Sequence, residues 1–227
     1  MAPNREIDKM KHSNKTPLIL IDRDGTLIFD NKYHLGRTND WKKKIKFLPG
    51  VIKGIKELRK IPHIKIYMVT NQPGVAIKDF KLLTKERAEQ VAQHIEEKLN
   101  KRGATIDGHF VCGHASPAYT KKRSQYKFHK KLVCNCTCIK PNFGMVFDAL
   151  KKEGLKKSGT NIYVIGDRAS DVKTALKVKG QGIFVPFKGE KEEIEKINRI
   201  KNEKSIYLAK NFTDATKLII KKEKKKR

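Results

Sequence analysis

Residues 18–28 read LILIDRDGTLI, an apolar run followed by two aspartates and a glycine turn. The four apolar residues 18–21 predict a buried strand, since short apolar runs are typical of strands covered on both faces. Asp22 and Asp24 lie two positions apart, and on extended backbone such side chains point the same way. Two carboxylates in one crevice are unfavourable unless a cation joins them, which indicates a cation-binding site. Taken alone, the stretch also fits an ordinary Asx-type turn.

Outward from this stretch, apolar runs alternate with segments of helical spacing. Strands are predicted at 18–21, 64–69, 105–111, 161–165, 182–185 and 206–209, and helices at 51–60, 84–99, 142–152, 170–178 and 190–200. The alternation predicts an α/β fold, a single doubly wound, Rossmann-like domain with a mainly parallel sheet. The domain is expected at 17–220, between a flexible segment 1–16 and a basic disordered tail 221–227.

Three further polar clusters follow predicted strands or precede a predicted helix. Thr-Asn-Gln occupies 70–72, Lys140 precedes a helix, and Asp167-Arg168 follows a strand, with Asp171 one turn beyond. Hydroxyl and amide groups can bond phosphoryl oxygens, a lysine neutralises phosphate, and a buried carboxylate suits Mg²⁺. Each cluster alone is ordinary turn chemistry or a surface lysine, and Asp171 also fits a helix cap. Because ligand sites in such sheets lie at the carboxyl ends of the strands, the clusters together favour one phosphate and magnesium site.

The four cysteines lie at positions 112, 134, 136 and 138. An even number predicts disulfides in a secreted protein, but residues 1–15 lack the apolar segment of a signal peptide. Three cysteines within five residues favour a metal site in a reducing compartment. Reduced cysteines without a metal are the alternative.

The chain of 227 residues carries 52 Lys and Arg against 24 Asp and Glu, a net charge of +28. Such a surface attracts polyanions such as nucleic acid. A generic lysine-rich surface is nevertheless favoured, because no arginine–aromatic stripe accompanies the lysines. The apolar runs are far shorter than the ~20 residues that cross a bilayer, which excludes a membrane-spanning chain. We expect a monomeric, cytoplasmic protein.

In order along the chain, four stretches resemble the four motifs of the haloacid dehalogenase (HAD) phosphohydrolase superfamily. They are ILIDRDGTLI at 19–28, MVTNQPGVA at 68–76, CIKPNFGM at 138–145 and VIGDRASDVKTA at 164–175. The closer similarity is to a compact branch without a large cap, which contains heptose bisphosphate phosphatases and histidinol-phosphate phosphatases. The resemblance implies a Mg²⁺-dependent phosphoric monoester hydrolase that acts on a phosphorylated small molecule.

The same resemblance implies a role for each motif residue. Asp22 is the nucleophile that forms an aspartyl-phosphate, and Asp24 is the general acid and base. Magnesium is held by Asp22, the backbone carbonyl of Asp24 and Asp167, while Thr70 and Lys140 stabilise the phosphoryl oxygens. Three further residues match positions that line the substrate pocket of the family, namely Asn71, Gln72 and Arg168. Residues 30–33 match this pocket more loosely.

Members of this branch also carry a Cys-x-His … Cys-x-Cys zinc loop, which corresponds here to 112–138. The resemblance implies four zinc ligands and leaves Cys134 as the spare cysteine, although Cys134 could replace Cys136 in a rearranged loop. The four ligands are Cys112, His114, Cys136 and Cys138. Ile139 departs from the pattern, because relatives that act on heptose bisphosphate usually have an arginine immediately before the motif lysine.

The leading hypothesis is therefore D-glycero-D-manno-heptose 1,7-bisphosphate 7-phosphatase, with histidinol-phosphate phosphatase as the second enzyme hypothesis. The net charge suggests a third, a nucleic-acid 3′-phosphatase, for which zinc cysteines are not expected. A basic nucleic-acid-binding protein with an inactive HAD site is the non-enzyme alternative. The intact motif residues argue against this last hypothesis.

Overall fold

The computed structural model describes residues 15–29, 34–188 and 191–226, and a six-stranded sheet lies at its centre. The strands are β1 (Thr16–Asp22), β2 (Lys65–Asn71), β3 (Gly108–Cys112), β4 (Thr160–Gly166), β5 (Gln181–Phe184) and β6 (Ile206–Leu208). They lie in the order β3-β2-β1-β4-β5-β6, and every neighbouring pair is parallel. The predicted α/β fold with a parallel sheet is confirmed.

Helices cover both faces of the sheet. They are α1 (Trp41–Lys44), α2 (Val51–Leu58), α3 (Lys85–Asn100), α4 (Pro117–Lys122), α5 (Gly144–Lys152), α6 (Ala169–Lys177), α7 (Lys191–Asn198) and α8 (Phe212–Lys224). Ile19 and Ile21 of β1 pack with α2, α3 and α8, whereas Leu18 and Leu20 pack with α5 and α6. The central strand is therefore apolar throughout because both of its faces are buried.

All six predicted strands and all five predicted helices are present, with ends that differ by up to three residues. The Thr84 side chain caps α3 by accepting a hydrogen bond from the Arg87 amide, as its type predicts. The sequence reasoning missed three helices. These are α1, α4 and α8.

The prediction of a disordered tail from residue 221 is wrong for 221–224, which continue α8. The reason is amphipathic packing, since Ile219 is buried in the core and the buried Glu223 accepts a hydrogen bond from the Tyr163 hydroxyl. Lysines on the exposed face of this helix made the segment resemble a solvated tail. Of the predicted flexible segment 1–16, residues 1–14 lie outside the described residues, and Thr16 already belongs to β1.

The parallel topology brings the polar clusters to one edge. Asp22, Asn71, Cys112 and Gly166 are the last residues of β1, β2, β3 and β4, which are neighbours in the sheet. The clusters at 22–24, 70–72 and 167–171 therefore begin at the same carboxyl edge, where α/β proteins bind ligands. Among the described residues, no helix is both long enough and apolar enough to cross a membrane.

Candidate active site

Lys140 and two carboxylates form a buried ion cluster at the end of β1. The Lys140 ammonium donates a hydrogen bond to Asp22 Oδ1, lies 2.6 Å from Asp171 Oδ1 and reaches the Val69 carbonyl at 3.2 Å. Burial raises the pKa of Asp22 to about 7, although Lys140 opposes the shift. Burial alone would lower the pKa of Lys140, but the carboxylates of Asp171 and Asp22 raise it above its ordinary value. The lysine is therefore a fixed cation between two acids.

Asp167 lies beside this cluster without a hydrogen-bond donor of its own. Both carboxylate oxygens are buried and have no hydrogen-bond partner in the described structure. Burial, reinforced by the negative charge of Asp22, raises the pKa of Asp167 to about 9. Gly25 has a φ of +80°, and a Cβ at this position would collide with the Asp167 carboxylate. A glycine is thus required both for the turn and for the close approach.

These residues fit a divalent cation on the evidence of their donor atoms. One carboxylate oxygen from each of Asp22, Asp167 and Asp171 lies within 4.8 Å of the others, and all three residues are buried. Buried oxygens without donors are costly, and a hard cation such as Mg²⁺ takes this type of ligand. Asp171 was predicted only as a neighbour of Asp167 or a helix cap. It does accept from the Arg168 amide at the start of α6, but its other oxygen lies beside Lys140.

Asp24 is held by two neighbours on the other side of the turn. The Arg23 guanidinium contacts both of its oxygens at 2.7–3.1 Å, and Gln72 Nε2 donates to Oδ2 at 2.8 Å. Burial opposes ionisation of Asp24, but Arg23 outweighs it and the pKa lies below the ordinary value. Asp22 and Asp24 thus have their pKa values shifted in opposite directions. Such a division suits two carboxylates with different chemical tasks.

Asn71 and Gln72, predicted as substrate contacts, form hydrogen bonds with other site residues. Gln72 also donates to the Thr70 hydroxyl at 2.8 Å and is itself buried. The Asn71 amide contacts the backbone of Lys140 twice, accepting from its N–H at 3.0 Å and donating to its carbonyl at 3.2 Å. Sequence reasoning missed this clamp because the two residues are 69 positions apart. Arg168 is exposed just beyond Asp167, and 30–33 lie outside the described residues.

A second cluster, of sulfur and nitrogen atoms, lies next to this site beyond β3. Cys136 Sγ is 3.0 Å from Cys138 Sγ and 3.8 Å from Cys112 Sγ. His114 Nδ1 is 3.3 Å from Cys138 Sγ and 3.8 Å from Cys112 Sγ. Four ligands around zinc place sulfur atoms ~3.8 Å apart, because each Zn–S bond is ~2.3 Å long. The cluster therefore has the composition and the size of a tetrahedral zinc site.

The structure brings Cys136 rather than Cys134 into the sulfur cluster, which favours Cys136 of the two alternatives left by the sequence. All four cysteines are free thiols. The cluster is also tied to Lys140, which is two residues beyond Cys138. The Asn142 amide donates to the Cys136 carbonyl at 2.8 Å, so the backbone is held on both sides of the lysine.

Comparison with known proteins gives a consistent set of relatives, although no family model matches the chain. A D-glycero-beta-D-manno-heptose-1,7-bisphosphate 7-phosphatase from Photorhabdus laumondii is 31% identical over 163 residues, which cover 72% of this chain and 76% of the relative. The histidine biosynthesis bifunctional protein HisB from Buchnera aphidicola is 31% identical over 170 residues, 73% of this chain and 40% of the relative.

A solved structure shares the fold over nearly the whole chain. It is the D,D-heptose 1.7-bisphosphate phosphatase from B. bronchiseptica complexed with magnesium and phosphate. Its TM-score is 0.67 at 17% sequence identity, with 91% of this chain and 99% of that chain covered. At this identity the likeness establishes the fold alone.

Proposed function

Because this chain belongs to the HAD-type phosphatase family that includes the heptose-1,7-bisphosphate 7-phosphatases, we propose that it removes the 7-phosphate of D-glycero-D-manno-heptose 1,7-bisphosphate. The observation that carries the proposal is the buried group of Asp22, Lys140, Asp167 and Asp171, with Asp24 held separately. The sequence similarity to curated 7-phosphatases supports the choice of substrate.

In the proposed reaction, Asp22 attacks phosphorus and the ester bond to the sugar breaks. The Asp22 carboxylate lies at the edge of the sheet against Lys140, whose fixed positive charge favours the ionised form that a nucleophile requires. The resulting aspartyl-phosphate is then hydrolysed by water. In the proposal, Lys140 and the buried Thr70 hydroxyl stabilise the phosphoryl oxygens through both steps.

Asp24 is the proposed proton-transfer group. Its contacts with Arg23 and Gln72 hold it as a carboxylate, the form that accepts a proton from the attacking water. The preceding step requires the protonated form at the leaving oxygen. We therefore infer that the substrate replaces part of the Arg23 contact, which the partly exposed Asp24 side chain allows.

Two metal ions belong to the proposal. Asp22, Asp167 and the backbone carbonyl of Asp24 would hold Mg²⁺, which when bound supplies positive charge that offsets the repulsion between phosphate and carboxylate. Cys112, His114 and the Cys136–Cys138 pair would hold a structural Zn²⁺. Zinc binding by thiols requires them to stay reduced, so we place the protein in the cytoplasm. We keep a monomer as the proposed state of assembly.

Histidinol phosphate is a second candidate substrate, favoured by the similarity to the bifunctional HisB protein. Ile139 bears on the choice, since it packs against the core cluster of Leu18 and Met145 and offers no charge to a second phosphate. A substrate with one phosphate would not need that charge.

The test is phosphate release with Mg²⁺ from both anomers of heptose 1,7-bisphosphate, from histidinol phosphate and from a 3′-phosphorylated oligonucleotide. We expect the heptose bisphosphate to give the highest kcat/KM. The Asp22→Asn variant serves as the blank, and Asp148→Asn, which changes an exposed carboxylate on α5, is its matched control. Higher turnover of histidinol phosphate or of the oligonucleotide would replace the proposed substrate, and full activity of Asp22→Asn would overturn the mechanism.

A further inference from the structure

The segment 115–135 connects the two halves of the sulfur cluster and carries a concentrated positive charge. Six of the eleven residues at 121–131 are Lys or Arg, and the sequence contains no Asp or Glu between Asp107 and Asp148. We call the six cations the basic wall. They are Lys121, Lys122, Arg123, Lys127, Lys130 and Lys131. All six are exposed, and within the described ranges none of them pairs with a carboxylate side chain.

The basic wall is held against the segment that follows β2. The Lys78 amide donates to the Lys127 carbonyl and the His129 amide donates to the Ala76 carbonyl, both at 2.8 Å. The Asp79 carboxylate also contacts this segment, since it accepts a hydrogen bond from the backbone amide of Lys127 at 3.2 Å. The segment therefore has a defined backbone position only a few residues from Gln72.

Aromatic contacts join the basic wall to a third segment, the one that follows β1. The Phe80 ring lies 5.4 Å from the ring of Tyr126, 5.1 Å from that of His34, and 5.3 Å from the Arg37 guanidinium carbon. The three joined segments follow the carboxyl ends of β1, β2 and β3. The wall consequently stands at the edge of the sheet that also carries Asp22.

The resemblance to heptose bisphosphate phosphatases leads us to expect an arginine at 139, where this chain has isoleucine. Ile139 packs with Cys136 and Cys138 against the buried face of the sheet, so a basic side chain must come from elsewhere. The lysines of the basic wall carry the required charge, and an anion that binds them need not displace an existing carboxylate partner.

We propose that the basic wall binds the second, non-reacting phosphate of the substrate and thereby selects bisphosphates over monophosphates. This inference rests on the proposed function and names the element that determines its specificity. Lys127 itself and His129 make the backbone contacts with Lys78 and Ala76. Lys130 and Lys131 directly follow His129, so these three lysines are the members nearest to the contacts along the chain. Their flexible ammonium groups act as point charges, so the recognition depends on charge more than on a fixed fork geometry.

The test compares two triple variants with the same change in net charge. Lys127→Gln/Lys130→Gln/Lys131→Gln removes half of the basic wall. Lys217→Gln/Lys221→Gln/Lys224→Gln removes three exposed lysines of α8, a helix whose last turn contacts β4 at Asn161, near the start of the strand. Steady-state kinetics are measured with heptose 1,7-bisphosphate, with the 7-monophosphate of the same sugar and with p-nitrophenyl phosphate.

We expect the wall variant to raise the KM for the bisphosphate about ten-fold, since three exposed charge contacts each contribute a fraction of a kcal/mol. Its kinetics with the monophosphate and with p-nitrophenyl phosphate should stay at the wild-type values, and the α8 variant should match wild type throughout. Equal KM values for the bisphosphate in wild type and wall variant would overturn the inference, as would an equal effect in the α8 variant.

The other outcomes also separate the two proposals. A wild-type enzyme that hydrolyses none of these phosphomonoesters contradicts the proposed function itself. If the wall variant keeps its bisphosphate selectivity but loses salt-sensitive binding of a 3′-phosphorylated oligonucleotide, the basic wall serves nucleic acid and the inference is wrong.

Discussion

The oxygen cluster of Asp22, Asp167 and Asp171 and the sulfur cluster around Cys136 lie at the same edge of the sheet, yet they are built differently. The oxygen cluster collects side chains from β1, the end of β4 and α6, and leaves two oxygens of Asp167 without a donor. The sulfur cluster collects its four side chains from two short segments, 112–114 and 136–138, and their number and type match a tetrahedral zinc site. The oxygen cluster therefore has buried acceptors left for a further ligand, whereas the sulfur cluster has the four side chains that a closed structural metal site needs.

Lys140 contacts Asp22 and Asp171 of the oxygen cluster and lies two residues beyond Cys138 of the sulfur cluster. Its replacement should have the largest effect on activity. Lys140→Met leaves Asp22 and Asp171 facing each other without a cation, so we expect kcat to fall by about 10²–10³-fold, as for loss of a transition-state charge. Added Mg²⁺ should raise the Tm of this variant more than that of wild type. Kinetics and thermal denaturation measure both effects.

Lys173→Met, at an exposed lysine on α6, is the control for that change. A Lys140→Met enzyme with wild-type kcat would show that the oxygen cluster works without its fixed cation.

The sulfur cluster should respond to Cys136 and not to Cys134. Cys136→Ser removes one of four ligands, and we expect loss of bound zinc with a Tm lower by about 5–10 °C, because loss of a ligand costs a few kcal/mol in a domain of this size. Cys134→Ser should keep one zinc per chain and an unchanged Tm. Elemental analysis and thermal denaturation decide the matter, and zinc loss in Cys134→Ser would reverse the assignment.

Asn71 tests the connection between the clusters. We expect Asn71→Ala to lower kcat by about ten-fold with little change in KM, since the amide holds the backbone of Lys140 and a small misplacement of a catalytic group is costly. Asn142→Ala, which releases the Cys136 carbonyl instead, should mainly lower zinc affinity. A rise in KM without a change in kcat for Asn71→Ala would restore Asn71 as a substrate contact.

The smallest effect concerns acid stability at the start of α6, the helix that carries Asp171. Glu193 is mostly buried and accepts a hydrogen bond from the Ala169 amide at 2.8 Å. Burial opposes its ionisation, but hydrogen bonds from Lys196 and from Ala169 lower its pKa below the ordinary value of 4.5. The pKa of Glu193 is lower in the folded state than in the unfolded state. Its carboxylate therefore stabilises the fold above pH 4.5, and this contribution is lost as the pH falls from 4.5 through the folded-state pKa.

Glu193→Gln should therefore lower the Tm by about 2 °C at pH 7 and by less at pH 4. Glu195→Gln, at an exposed neighbour, is the control. A deficit that stays the same at both pH values would mean that the Glu193 charge has no part in holding α6.

Local patterns were sufficient for most of the fold and for the residue types of the two clusters. The strand at Leu18–Ile21 and the cap at Thr84 follow from residue types a few positions apart, so the sequence predicts them directly. The end of α8 was mispredicted, because five of the seven residues at 221–227 are lysine and the partner of Glu223 lies 60 residues away on β4. Long-range packing overrides local composition in such cases.

The sequence by itself determined the order of the four motifs, the parallel α/β architecture and the residue types of both clusters, since each depends on short-range periodicity and on functional groups. Only the tertiary structure decided that Cys136 rather than Cys134 joins the sulfur cluster, that Asn71 clamps Lys140, and that the segment of the basic wall is held against the residues that follow β2. Cys112 and Cys136 of the sulfur cluster are 24 positions apart in the sequence, and Asn71 and Lys140 are 69 positions apart. Distances across such separations are set by how the strands and helices pack, which no local pattern encodes.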